Sequence, residues 1–216
     1  SYALLLTITR AAWGAFGLSA LVMLAIRVGK KGILIALVVL ALAAPMAVRM
    51  LKEIRSIPLV SASEPSTSYR LTVWREGIRL LVSKPRHLLV GVGIDSIKNR
   101  WREWGMFEGG RLPLGHMHST PIQIALERGV AALVCWTWWF GCYVRLLRRT
   151  VRAALGQEDE WVAGIFLGVF GGIVGFLASS LVHYNFGDSE VIMIVYFLMG
   201  ITESCWRLMA EKGSLG

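Results

Sequence analysis

Apolar residues run through this chain in long unbroken stretches divided by short polar turns, with one polar interruption of about seventy residues. The first run, Ala11–Ile26, predicts a membrane-spanning helix closed by a tight basic turn of Arg27, Gly29, Lys30 and Lys31. The second, Gly32–Met50, reaches roughly 28 Å at 1.5 Å per residue, enough for a bilayer core, and Pro45 predicts a kink near its far end. Three more runs, Thr120–Val144, Trp161–Val182 and Val191–Cys205, predict three further spans. The expected fold is therefore an all-α polytopic membrane protein of about five transmembrane helices. It forms one membrane domain over 1–216, with residues 51–119 inserted as a large, partly helical loop between the second and third spans. Tyr2–Ile8 is apolar but too short to span. It reads as the end of a helix cut off upstream, so the chain is expected to be the C-terminal portion of a larger protein.

Inside the polar stretch, Ser61–Ser68 is a loop by composition. Tyr69–Ser83 predicts an amphipathic helix with Trp74, Ile78, Leu81 and Val82 on one face, stopped by Pro85. Leu88–Ile94 is apolar with two glycines, which suits close approach to the membrane or to another backbone. Asp95 is placed to cap a short helix through Trp104, and Gly105–Gly115 reads as a flexible connection. That connection ends at Gly115-His116-Met117-His118-Ser119-Thr120-Pro121, where two of the four histidines meet the start of the third span. Gln123, Glu127 and Arg128 follow in its first turns and are expected at a water-facing mouth. Trp136, Trp138 and Trp139 are expected at the opposite interface, as an aromatic belt. In the fourth span Gly164, Gly168, Gly172 and Gly175 read as a small-residue packing face.

Composition agrees with the pattern: 55% of the 216 residues are hydrophobic, against 17% charged, and the mean hydropathy is +0.58. A net charge of +9 would suggest nucleic acid in a soluble protein. Here it reads as membrane anchoring plus a site for an anionic substrate, with membrane lipids and no nucleic acid as partners. Cys135, Cys142 and Cys205 lie in apolar runs without metal-ligand spacing, so no disulfide framework is expected. Arg and Lys crowd the 27–31 turn, the 145–152 loop and the C-terminal segment, while the 183–190 turn has none. The positive-inside rule then puts the basic ends in the cytoplasm, and puts Arg10, Arg70, His118 and His183 together on the outer side.

Three stretches in this order resemble the bacterial O-antigen ligase and O-antigen polymerase superfamily. Leu6-Thr7-Ile8-Thr9-Arg10-Ala11-Ala12-Trp13 is similar to the family's T-x-S-R-x-x-W helix start, with Thr9 in place of Ser. Tyr69-Arg70-Leu71-Thr72-Val73-Trp74, then Lys84-Pro85 and Gly91-Val92-Gly93, resembles R-x-x-x-W followed by P-x-x-G-x-G in the periplasmic loop. His116-Met117-His118-Ser119, then Gln123 to Gly129, resembles H-x-H-N followed by L-x-E-x-G, with Ser119 in place of Asn. The resemblance implies transfer of an O-antigen-type glycan from an undecaprenyl-diphosphate-linked donor to an acceptor hydroxyl. The acceptor is lipid A–core in the ligases, another glycan in the polymerases and a protein in the related oligosaccharyltransferases. It implies an inner-membrane, multi-pass protein with its site facing the periplasm, and no cofactor or metal.

The residues suit that chemistry. Arginine presents a planar fork to two phosphate oxygens and stays charged, which fits Arg10 and Arg70 as diphosphate ligands. An attacking hydroxyl needs a base, for which His118 is the candidate that matches the family's second histidine; His116 is the alternative. Arg75, Glu127, His183 and Asp188 are secondary candidates on the same side. A paired-carboxylate metal–nucleotide motif, a glycine-rich phosphate loop and a zinc motif are all missing from the sequence, and His116-x-His118 alone is too sparse for a metal. A transporter or flippase of an anionic lipid is the competing class. It predicts polar residues at mid-membrane and internal repeats, whereas these spans are apolar at their centres and show no repeat.

Overall fold

The computed structural model describes residues 10–29, 31–35, 37, 38, 41, 65–156 and 160–211. The elements run α1 (Arg10–Val28), α2 (Pro65–Val82), α3 (Pro85–Val90), α4 (Ser96–Arg100), a 3-10 turn (Trp101–Trp104), α5 (Met106–Gly110), α6 (Thr120–Leu155), α7 (Glu160–Ser180), a 3-10 turn (Asn185–Gly187) and α8 (Ser189–Glu211), with no strand among the described residues. The fold is all-α. Helices α6, α7 and α8 are long and apolar enough to cross a membrane, and Ala12–Val28 forms a shorter apolar helix. The expected second span with its Pro45 kink, the loop residues Ser61–Glu64 and Tyr2–Ile8 lie outside the described residues, apart from a few positions of the span.

Helix α7 has 21 residues, about 31 Å of rise, which matches a hydrocarbon core. It packs against α1 antiparallel. A Cβ built on Gly175 would lie 2.6 Å from Ser19 Oγ, Gly171 lies under the Met23 side chain, and Arg27 pairs with Glu160 at 2.6 Å. Close approach therefore runs through Gly171 and Gly175. The expected stripe is corrected in part: Gly175 is a packing position, whereas Gly164, Gly168 and Gly172 have no neighbour within 4 Å of an added Cβ among the described residues. Buried Phe140, Leu147 and Val151 of α6 interleave with Phe166, Phe170 and Ile173 of α7 to form the membrane core, while Val134, Trp138, Met193 and Phe197 turn outward as lipid-facing residues do. Helix α6 runs on to Leu155, so Arg145–Arg152 is helical where a loop was expected. Leu147, Val151 and Ala154 give this stretch a buried face, and the arginines take the exposed one.

A second core lies in the 65–119 segment, built from Val73, Leu80, Ile97, Met106, Phe107 and Met117 around Leu126 of α6. Each such buried apolar side chain contributes roughly 1.5–3 kcal/mol. The amphipathic helix begins earlier than expected, at Pro65, and its face is rotated. Val73, Gly77 and Leu80 are buried, whereas Ile78 and Val82 are exposed. Gly105–Gly115 is not a loose connection. Phe107, Glu108 and Gly109 form a left-handed turn, with Phe107 fully buried, and the Glu76 carboxylate accepts the amides of Phe107 at 2.7 Å and Glu108 at 3.0 Å. Two consecutive non-glycine residues in the left-handed region are costly, and Glu76 and the buried Phe107 ring hold them there. Asp95 precedes α4 as expected, but makes no side-chain cap.

The two cores join where α6 breaks. Gly129, at φ 85° and ψ 167°, interrupts the helix in a region open only to glycine. Leu126 and Glu127 thereby lose acceptance from the next turn, and their carbonyls instead accept the amides of Val92 at 2.9 Å and Gly93 at 3.0 Å. Gly91 lies against the Glu127 carbonyl, and Gly129 against the Leu89 carbonyl. The glycine-rich 88–94 stretch does approach another backbone closely, namely the broken turn of α6. The break also redirects α6 so that Trp136 packs on Phe186, ring centroids 5.8 Å apart. Trp136 therefore sits beside the 185–187 turn and not at the opposite interface.

Candidate functional site

The site is built around Met117. Its side chain is fully buried over Gly77, where an added Cβ would lie 2.8 Å from the Met117 sulfur. Its amide donates to Gln123 Oε1 at 2.8 Å, and its carbonyl accepts the Trp74 indole N–H at 2.6 Å. With Met117 held on three sides, its neighbours His116 and His118 are left half-buried outside that core. His118 has φ 48°, and its amide donates to His116 Nδ1 at 3.1 Å. The two imidazoles lie 4.2 Å apart at 48°. Tyr69 stands edge-on to His118 at 5.5 Å and Tyr184 flanks His116 at 5.6 Å, so the pair is enclosed between two phenols. Tyr69 is itself held by donating to the Pro113 carbonyl at 3.0 Å.

The loop after α7 brings the remaining members. Asn185 is buried. Its Nδ2 donates to the Phe176 carbonyl and Ser179 Oγ, and its Oδ1 accepts from Ser180. Thr120, the first residue of α6, donates its amide to the His183 carbonyl at 3.1 Å. This pinning sets His183, Tyr184 and Asp188 beside the histidine pair. The antiparallel packing of α1 on α7 brings Arg10, the first residue of α1, to the same end of α7.

The charges are disposed asymmetrically. Burial, then His116, Arg70 and His183, push the His118 pKa down from 6.5 to about 4. Burial also lowers His183, with Arg70 adding to it and Asp188 opposing. Burial lowers His116 as well, against the pull of Asp188 and helped by Lys98 and His183. All three rings are therefore neutral at pH 7. Arg70, half-buried and near enough to act on two of them, makes no ion pair or hydrogen bond among the described residues. A guanidinium beside neutral rings, without an acid of its own, is a place for an anion. The Nε2 of His183 is buried and has no hydrogen-bond partner among the described residues.

Of the residues singled out from sequence, Arg70, His116, His118, His183 and Asp188 thus converge. Arg75 does not: it lies on the exposed face of α2 with Leu71 and Ile78. Glu127 is 4% exposed, so it is no part of a water-facing mouth. It accepts the Asp95 amide at 3.1 Å, bonds to Gln123 and faces Arg128 at 3.7 Å, which fastens the 91–95 turn to the broken helix and steadies the Gln123 that holds Met117. Trp74, Gln123, Tyr69, Tyr184, Thr120 and Asn185 were not singled out as site residues. The signal available for Trp74 was its place in the R-x-x-x-W stretch, one helical turn after Arg70, and for Gln123 its spacing from Thr120. Nothing local marks Asn185. Among the described residues, no three His, Cys, Asp or Glu side chains gather as metal ligands would.

A protein-family model described as O-antigen ligase matches residues 1–137. No curated protein and no solved structure matches the chain.

Proposed function

The chain belongs to the O-antigen ligase family of membrane glycosyl-transfer enzymes, and on that premise we propose that it moves an O-antigen-type glycan from undecaprenyl diphosphate to an acceptor hydroxyl, that of lipid A–core. Arg70, with Arg10 from the start of α1, binds the diphosphate. His118 is the base. The acceptor oxygen attacks the anomeric carbon, the bond from that carbon to the diphosphate breaks, the hydroxyl proton passes to His118, and undecaprenyl diphosphate leaves with the bonding pair. The leaving group gains negative charge as the bond breaks, so cations already in place stabilise the transition state more than the ground state.

The observation that carries this reading is the half-buried Arg70 beside His118 and His183, without an ion pair among the described residues. A neutral imidazole is the form that accepts a proton. Between the two histidines, His118 is favoured because the His116 Nδ1 lone pair is already occupied by the His118 amide, which leaves Nε2 of neutral His116 carrying the proton. His116 then holds His118 in its left-handed conformation, and His183 and Asp188 shape the wall around it. The proposal includes placement in the inner membrane with residues 51–119 and the 183–190 turn in the periplasm. The support is the basic residues Arg27, Arg145, Arg148, Arg149 and Arg152 toward the other end of the helices.

The test is complementation of a deletion strain. Full-length surface glycan left on its lipid carrier, rescued by the wild-type gene and not by a stably inserted His118→Ala variant, is the expected result. Accumulation of single repeats would assign a polymerase instead. Full transfer by His118→Ala would end the proposed role of that residue.

A further inference from the structure

At the end of the bundle away from the histidines, four arginines of α6 occupy one face at helical spacing: Arg145, Arg148, Arg149 and Arg152. All four are exposed and none makes an ion pair or hydrogen bond among the described residues, while Glu160 at the start of α7 is taken up by Arg27. Four like charges on one face repel each other, and nothing in the described fold offsets that cost. Together with Gly141 and Val144 they line an open groove of about 380 Å³ along this face of α6, comparable in volume to the roughly 300–1,000 Å³ of small-ligand sites. A second, narrower cleft of about 70 Å³ shares Arg148 and Arg152 and is otherwise apolar, walled by Ile26 of α1, Val151 of α6 and Phe170 of α7. Guanidinium groups thus stand over a hydrocarbon slot that opens between three membrane helices.

We propose that this is a binding site for an anionic phospholipid, with its phosphodiester headgroup in the arginine groove and acyl chain along the Ile26–Phe170 cleft. The charge pattern fits a lipid of two phosphates better than one, because i, i+3, i+4 and i+7 spacing presents two pairs of forks. Basic pockets between membrane helices select such headgroups, whereas loose anchoring charges attract any anionic surface. The site lies outside the transfer machinery, so occupancy steadies the bundle without entering the reaction.

The experiment uses the full-length protein in lipid nanodiscs and measures binding of cardiolipin and of phosphatidylcholine by native mass spectrometry. Cardiolipin is expected to bind in preference to phosphatidylcholine. The pair R148Q/R152Q, which touches both groove and cleft, is expected to weaken cardiolipin binding roughly tenfold or more. R102Q/R111Q, which removes the same charge from the polar segment, is expected to change it less than about twofold. R145Q/R149Q, which leaves the apolar cleft intact, provides a second variant with the same expectation as R148Q/R152Q. Equal losses from the groove pairs and the control pair would reduce the effect to diffuse attraction and overturn the site. So would equal binding of the two lipids, or displacement of bound cardiolipin by millimolar inorganic phosphate, which has no chain to fill the cleft.

Discussion

If His118 is the base and is held neutral by its surroundings, the acid limb of the pH profile should lie far below that of an ordinary histidine. Its pKa is lowered from 6.5 to about 4, chiefly by burial and then by His116, Arg70 and His183. At pH 5.5 a histidine of pKa 6.5 is neutral in only about one molecule in eleven, and one of pKa about 4 in roughly 97 of a hundred. The two cases differ about tenfold in available base at that pH. With purified protein, lipid-diphosphate donor and acceptor, kcat/KM should hold nearly constant from pH 7 to 5.5. The limb in kcat should lie higher, because a diphosphate bound at Arg70 cancels the cation that disfavours the imidazolium. Arg70→Gln should raise the limb in kcat/KM, yet leave it below 6.5, since burial is the larger cause and remains. An acid limb in kcat/KM near 6.5 in the wild type, or one unmoved by Arg70→Gln, would refute the assignment of His118 as the titrating base.

Arg70→Lys should cut kcat/KM by roughly 10- to 100-fold with normal protein levels, because a point charge cannot reproduce the two-pronged contact with the diphosphate; near-normal transfer by that variant would remove the diphosphate role. Gly129→Ala should cost about 3–5 kcal/mol, from a backbone conformation closed to alanine and loss of the amide bonds of Val92 and Gly93 to α6, read as a fall on the order of 10 °C in unfolding temperature. Stability should also fall with pH. His116, His118 and His183 all have folded-state pKa values below the unfolded value of 6.5, so the unfolded chain binds more protons as pH drops from 6.5 toward 4. Thermal unfolding at pH 7 and pH 5 should show the lower value at pH 5, by a modest amount because the rings are half exposed. Single cysteines at Ser68 and Glu160, in a protein whose own three cysteines are replaced, should label from opposite sides with an impermeant maleimide; labelling of Glu160→Cys alone in intact spheroplasts would reverse the proposed orientation.

The three long apolar helices and the shorter one before them were legible because lipid-facing helices are defined by composition over about twenty residues, and that signal survives without knowing any neighbour. The H-x-H stretch and Arg70 were legible through their resemblance to a family pattern, and their place on one side followed from the count of short-loop charges. Positions set by contact between distant segments were not legible. The packing glycines proved to be Gly171 and Gly175, because only the antiparallel approach of α1 decides which positions along α7 are contacted. The buried face of α2 turned to Val73 and Gly77 once Met117 needed a seat, and Glu127 went inside because the 91–95 turn required its carboxylate. Gly129 reads locally as one helix residue among many; only the backbone of 89–93 pressed against it explains why α6 breaks there. The enclosure of the two histidines by Tyr69 and Tyr184 joins residues more than a hundred positions apart. Sequence determined which residues carry charge and where the long apolar runs lie, since these depend on the chain alone. The tertiary structure decided which polar groups lose water, and hence that the pKa values of His116, His118 and His183 are lowered and that Arg70 stands near two of these rings.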